Sequence, residues 1–204
     1  MSTCGPPSKN QAAFNRVFPA AFCVRPSIGD GSCFFHSLCA AITEGYDAMS
    51  KEQQTVAGRH LRDQFLKKMN EQLYCNTLAR IRRTMKEKGL EELIDAPDSW
   101  QKFKSKMGNY RTWADLIIIS VVGLRLQMNI LFWDSVAKQL YYGVDNFDSI
   151  EKGWPTILIE WEDRSHFNLI VKQEVQGSLL VTQRQFFWEK DRAFLRDLQR
   201  MYKK

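Results

Sequence analysis

The order in which two hydrophobic periodicities follow one another limits the fold more than any other feature. From Cys33 to Val122 apolar residues recur at helical spacing. Cys33 to Ile42 is a compact run of Phe, Leu, Cys and Ala without Gly or Pro. Val56, Leu61, Phe65 and Met69 mark one face of a segment that starts at Lys51. After Gln127 the pattern shortens. Gln127 to Trp133, Gln139 to Tyr142, Thr156 to Trp161 and His166 to Lys172 are brief, rich in β-branched and aromatic residues, and separated by turn residues. Phe186 to Tyr202 returns to helical spacing, with Phe187, Phe194, Leu195 and Leu198 on one side. Helices, then strands at hairpin spacing, then a helix imply an α+β fold with a small, mostly antiparallel sheet flanked by helices.

Cap and breaker residues place the boundaries. Ser50 is the expected N-cap of a helix running to about Leu73. A second helix is expected from Thr77 to Lys88, ended by Gly89, and a third from Asp98 to about Met107. Thr112 is expected to cap a helix from Trp113 to Val122 that Gly123 stops. Residues 1–12, rich in Pro, Gly, Ser and Asn, are expected to form a loose tail, residues 13–180 one domain, and residues 181–204 a helical extension packed on it. A chain of 204 residues is long enough for a real core.

Several function classes drop out. The most apolar stretch, Leu116 to Leu126, is interrupted by Gly123 and Arg125 and falls short of the roughly 20 residues a bilayer requires, so no membrane partner is expected. Five cysteines at irregular spacing, with no signal-like start, point to reduced thiols in an intracellular compartment rather than a disulfide frame. The net charge of +6 comes from the middle of the chain, where Lys51 to Arg111 holds 14 basic and 8 acidic residues. No aromatic residue interleaves with Arg80, Arg82, Arg83, Lys86 and Lys88. The segment therefore reads as a solvated helix face, and no nucleic acid is expected. The opposite bias follows: Asp145, Asp148, Glu151, Glu160, Glu162 and Asp163 stand against Lys152 alone.

Nucleophilic chemistry has one good location. Cys33 stands where the turn-rich Pro26 to Gly31 segment meets a helix. A helix N-terminus favours a thiolate, and the backbone N–H groups of Asp30, Gly31, Ser32 and Cys33 can receive an oxyanion. The base is sought among His36, His60 and His166. His166 opens a strand, and strand alternation puts Asn168 on the same face, where it can hold the imidazole in its accepting tautomer. His60 lies on a basic helix and reads as surface. A zinc reading of Cys33, His36 and Cys39 is set aside, because an i, i+3, i+6 spacing winds around the helix. No metal or cofactor is expected.

Read together, Asp30-Gly31-Ser32-Cys33-Phe34-Phe35-His36 resembles the cysteine signature of the ovarian-tumour (OTU) family of deubiquitinating proteases. His166-Phe167-Asn168-Leu169 resembles its histidine signature. Tyr110 to Leu116 followed by Gly123 to Ile130 is similar to its Trp-containing helix and first core strand. The resemblance spans roughly Ile28 to Lys172. It implies a papain-like fold and hydrolysis of the bond after ubiquitin's C-terminal glycine, with Cys33 as nucleophile, His166 as base and Asn168 as orienting residue. Asp30 matches an acidic residue that shapes the oxyanion hole or joins the triad. His36 stands where the family commonly has Arg, and Asp115 where it has Glu. The compact form looks like the OTU proteases of large DNA viruses, which implies the cytosol of a host cell or a virion. The implied partner is ubiquitin, a polyubiquitin chain or a ubiquitin-like modifier, bound by a monomer. Trp161 and Phe167 would wall a channel for the Gly-Gly end, with Glu162 and Asp163 attracting the basic tail. The rival readings are a protease for a ubiquitin-like modifier and a catalytically silent ubiquitin-binding module.

Overall fold

The computed structural model describes residues 4–7, 9–88, 91, 94, 96–142, 153–176 and 179–202. Among them, six strands form one sheet: β1 (Phe22–Arg25), β2 (Asn129–Asp134), β3 (Gln139–Tyr142), β4 (Thr156–Glu162), β5 (His166–Gln176) and β6 (Leu179–Gln183). The order is β1-β5-β4-β2-β3, with β6 on the distal half of β5. Only β2 and β4 run parallel, so the sheet is mostly antiparallel, as the spacing implied.

Helices cover both faces of this sheet. Ile130, Phe132, Ile157, Ile159, Phe167 and Leu169 point into a core with α2 (Cys33–Ile42), α3 (Lys51–Lys68), α4 (Glu71–Lys88), α5 (Trp100–Gly108) and α6 (Leu116–Leu126). Their neighbours Leu131, Trp133, Leu158 and Ile170 point the other way. They pack with Phe14 and Phe18 of the α1 region (Gln11–Val17) and with Leu195 and Leu198 of α7 (Arg192–Tyr202). Burial on both faces explains why β2 and β4 are almost continuously apolar. None of the described helices is long and apolar enough to cross a membrane.

Several boundaries move for local reasons. The first long helix stops at Lys68 rather than Leu73, because Met69 is extended and the Asn70 side chain accepts the Leu73 N–H at 2.9 Å, starting α4 early. Ser50 caps α3 as expected and forms a full capping box with Gln53. Asp115, not Thr112, caps α6, accepting the Ile117 and Ile118 N–H groups, each at 3.0 Å. Gly123 does not stop that helix. A Cβ there would lie 3.1 Å from the Met128 carbonyl, so the glycine admits close packing, and α6 ends only at left-handed Gln127. The last helix begins at Arg192, and Phe187 is exposed in the turn before it. Gly89 and the loop containing Asp145, Asp148, Glu151 and Lys152 lie outside the described residues.

Residues 4 and 5, within the expected loose tail, are anchored to β1. Gly5 pairs with Val24, and Cys4 is disulfide-bonded to Cys23. The expectation of five reduced thiols therefore does not hold. Pairing of residues 4–5 alongside β1 brings the two Cα atoms to 5.8 Å, inside the bridging range. Phe14 and Phe18 then close edge-on around Trp133, both rings 6.3 Å away. Full burial of each phenyl group stabilises by about 1.5–3 kcal/mol. Residues beyond 180 likewise build on the sheet: β6 pairs with β5, and Phe186 bridges Thr156.

Candidate functional site

The cysteine loop is held at successive residues. Ser27 N–H donates to Asn168 Oδ1 at 3.0 Å. Gly31 has φ +83°, a conformation that L side chains rarely adopt, and it lies against the backbone of Tyr110 and Arg111. One Asp30 carboxylate oxygen accepts Ser32 N–H at 2.9 Å and His36 Nε2–H at 3.0 Å, while the other accepts Arg59 Nε–H at 3.1 Å. Burial raises the Asp30 pKa, but these donors outweigh it and leave the carboxyl below its ordinary value.

His36 is a buried structural residue in this network. Its ring packs on Gly58, where a Cβ would lie 2.3 Å from Nδ1, and that nitrogen is 2.9 Å from the Tyr46 hydroxyl. Burial lowers its pKa despite the opposing pull of Asp30. Both ring nitrogens thus have partners within the protein.

Cys33 opens α2 and is 0% exposed. Burial dominates and raises its pKa, while the nearby backbone N–H groups of Phe167, Phe34 and Cys33 itself pull it down. The helix N-terminus therefore does not by itself yield a thiolate in this state. The contact with Phe167 places the sulfur beside the His166–Phe167 peptide. Ser37 Oγ donates to the Phe167 carbonyl at 3.0 Å, and the Phe34 and Phe167 rings meet edge-on at 5.8 Å, fastening α2 to β5 at this point.

His166 faces the same loop, its Cε1 3.6 Å from a Cβ built on Gly29. Its Nε2 lies 3.2 Å from Ser27 Oγ, and that hydroxyl donates to the Phe167 carbonyl at 2.6 Å. The hydroxyl has one proton. With that proton on the carbonyl, Nε2 must donate, and Nδ1 is the basic nitrogen. Ser27, rather than Asn168, is thus the residue whose side chain meets the His166 ring. No local pattern marks Ser27, since its partners lie about 140 residues away.

Asn168 stands behind Ser27. Its Nδ2 donates to Glu160 at 3.0 Å and to Glu162 at 2.9 Å, while its Oδ1 holds the Ser27 backbone. Strand register explains this: Glu160 and Glu162 pair with Asn168 and His166 across β4 and β5. The expected direct Asn168–His166 contact is replaced by a relay through Ser27. Asp30 is directed to Ser32, His36 and Arg59 rather than to the imidazole. Its hold on Ser32 N–H also removes that group from the expected oxyanion donors.

The expected substrate residues fare unevenly. Phe167 is only 3% exposed and stacks on Trp161 with ring centroids 6.0 Å apart, so it is a core residue supporting half-buried Trp161. The Glu162 carboxylate is engaged by Asn168. Asp163 pairs with Lys9 at 2.8 Å and keeps 40% of its side chain exposed. The turn before His166 is pinned by the β2–β3 turn. Arg164 donates to fully buried Asp134 at 2.9 Å, and Asp163 N–H donates to Ser135 Oγ at 3.0 Å.

Two hollows adjoin these residues and share Arg111 and Trp113. A cavity of about 270 Å3 lies among Trp113, Leu116, Ile119, Phe132, Trp161 and Phe167. A broader cleft of about 640 Å3 is lined by Gly29, Asp30, Gly31, Arg59, Tyr110, Arg111 and Trp113.

No protein-family model and no curated protein matches the sequence. Solved structures of OTU domains are among those to which the chain is similar. One solved structure, an ovarian tumor (OTU) domain in complex with ubiquitin, is 16% identical over 89% of this chain and 87% of that one, with a TM-score of 0.48. The Hazara virus OTU bound to ubiquitin is 12% identical over 76% and 83%, with a TM-score of 0.42. The viral OTU domain protease from Qalyub virus is 11% identical over 74% and 84%, with a TM-score of 0.40.

Proposed function

We propose that this chain is a thiol-dependent hydrolase of the OTU type that cleaves the isopeptide bond after the C-terminal glycine of ubiquitin. The observation that carries the reading is the tautomer imposed on His166. The Ser27 hydroxyl, its own proton given to the Phe167 carbonyl, accepts from Nε2–H and leaves Nδ1 basic, on a ring beside the strand residue whose backbone lies near the Cys33 sulfur. The OTU-like wording of both segments supplies the substrate class.

In this mechanism Nδ1 takes the Cys33 proton as the sulfur attacks the glycine carbonyl. The thiol is protonated at rest, so the transfer accompanies attack. Backbone N–H groups of the Asp30 to Cys33 loop, other than that of Ser32, hold the oxyanion. The imidazolium then protonates the departing lysine amine, breaking the C–N bond and leaving a thioester. His166 next takes a proton from water, which attacks the thioester, and returns it to the sulfur. Cys33 is fully buried, so the residues around it must shift for a substrate to reach the sulfur. Trp161 and Asp163 are the residues of the expected substrate surface presented to a tail. A basic tail would take Asp163 from Lys9.

The test is hydrolysis of ubiquitin carrying a fluorogenic C-terminal leaving group, beside the same substrate built on ubiquitin-like modifiers. The expected result is turnover of ubiquitin that Cys33→Ala abolishes. Turnover confined to another modifier would establish the nearest rival. Binding of ubiquitin without turnover would make the chain a binding module and overturn the proposal.

A further inference from the structure

The basic segment between Lys51 and Arg111 reads in sequence as a solvated face, yet one of its cations is fully internal. Arg62 of α3 is 0% exposed. Its guanidinium reaches five backbone carbonyls: Gly31 at 3.0 Å, Thr112 at 2.8 Å and Tyr110 at 3.4 Å from one terminal nitrogen, and Met107 at 2.8 Å and Asn109 at 2.9 Å from the other. Four of these carbonyls belong to the end of α5 and the connection to α6, and the fifth belongs to the cysteine loop. A cation beside carbonyls at a helix C-terminus is favourably placed. An anchor for that connection alone would not need Gly31.

The Gly31 contact makes the arrangement specific. The Gly31–Ser32 peptide is held at both ends, its carbonyl by Arg62 and its N–H by the Asp30 carboxylate at 2.9 Å. That peptide lies one residue ahead of the sulfur. Its plane governs where the following N–H groups and the first turn of α2 point. The opposite side is closed by backbone, since a Cβ on Gly31 would lie 1.8 Å from the Tyr110 carbonyl, itself an Arg62 acceptor.

We infer that Arg62 is a positioning residue for the reaction, acting through the Gly31–Ser32 peptide to hold the oxyanion-binding backbone in register with Cys33. This inference rests on the proposed hydrolase reading. It assigns Arg62 a share of transition-state stabilisation rather than of substrate binding or thiol activation. A lysine cannot replace it, because one ammonium cannot serve carbonyls spread around a planar fork.

The experiment uses the full chain. Active sites are first titrated with ubiquitin bearing a C-terminal electrophile, so rates are per competent molecule. Arg62→Lys is expected to lower kcat per titrated site at least tenfold, with KM within twofold. Alkylation of Cys33 by iodoacetamide should stay within threefold, because alkylation uses no oxyanion hole. Arg62→Ala is expected to lose activity and to regain part of it in millimolar methylguanidinium. A kcat per titrated site equal to wild type, with only the active fraction reduced, would make Arg62 a purely structural anchor and overturn the inference. Failure of both variants to fold would do the same. Wild-type protein that does not react with the ubiquitin electrophile would refute the hydrolase reading itself, a result visible before any variant is made.

Discussion

Substitution of Gly31 by alanine separates two sources of constraint in the cysteine loop. The first is backbone strain: at φ +83° an alanine costs roughly 1 kcal/mol relative to glycine. The second is steric. The new methyl would sit 1.8 Å from the Tyr110 carbonyl oxygen and 2.8 Å from Arg111 Cα, both backbone atoms that no rotamer change can move. Overpacking of this kind costs about 1–3 kcal/mol. The sum, about 2–4 kcal/mol, corresponds to a fall in Tm of roughly 5–15 °C for a chain of this size. Two controls isolate the parts. Gly45 has φ +74° with nothing within 4 Å of its Cβ position, so Gly45→Ala should show the strain alone, about 1 kcal/mol. Gly29 has no positive φ and would meet His166 Cε1 at an ordinary 3.6 Å, so Gly29→Ala should leave stability within about 0.5 kcal/mol. Urea unfolding followed by tryptophan fluorescence measures all three. Equal losses for Gly31→Ala and Gly45→Ala would refute the backbone clash, and with it the close fit of the cysteine loop against residues 110–111.

Ser27→Ala removes the acceptor that fixes the His166 tautomer. kcat should fall by roughly tenfold to a thousandfold with KM little changed, read by steady-state hydrolysis, and an unaltered kcat would return the orienting role to Asn168. Asn168→Asp sets a third carboxylate against Glu160 and Glu162. The introduced carboxyl is pushed above its unfolded pKa, so the loss of about 1–3 kcal/mol is fully present at pH 8 and relieved as pH falls toward 5, measured as urea midpoints. Asp30 has a depressed pKa, so its contribution to stability is present above its unfolded value of about 3.8 and lost as pH falls through the lower folded value. Asp30→Asn should therefore lower Tm at pH 7 and converge with wild type in strong acid. The buried Cys33 thiol should be alkylated half-maximally above pH 9.0, its ordinary value.

What could be read from the chain alone follows from how local each signal is. The α2 run is apolar without breakers, and Ser50 with Gln53 is a short-range cap, so both are visible in one window. The elements β1 and α1 are too short to announce themselves, and they gain definition from pairing with β5 and from Trp133. At the site, Cys33 and His166 stood out because nucleophile and base carry their chemistry in residue type. Ser27 did not, because a serine in a turn is unexceptional until a histidine 139 residues away is folded against it. Arg62 is indistinguishable from its basic neighbours in sequence for a physical reason. A buried cation normally announces itself through a carboxylate partner, whereas this one is met by main-chain oxygens that no sequence displays. Asn168 shows the limit of strand alternation, which places side chains on one face but does not choose among the acceptors there.

Proton transfer between Cys33 and His166 is the central step of the proposed chemistry, and the rate of adduct formation with C-terminally electrophilic ubiquitin tests it most directly. Wild type and His166→Ala are compared from pH 6 to pH 10, with the modified residue located by mass spectrometry. The account predicts a single adduct on Cys33, a loss of about a hundredfold or more for His166→Ala at pH 7, and a gap that narrows as the thiol ionises at high pH. Equal rates at pH 7, or an adduct on Cys39 or Cys75, would contradict it.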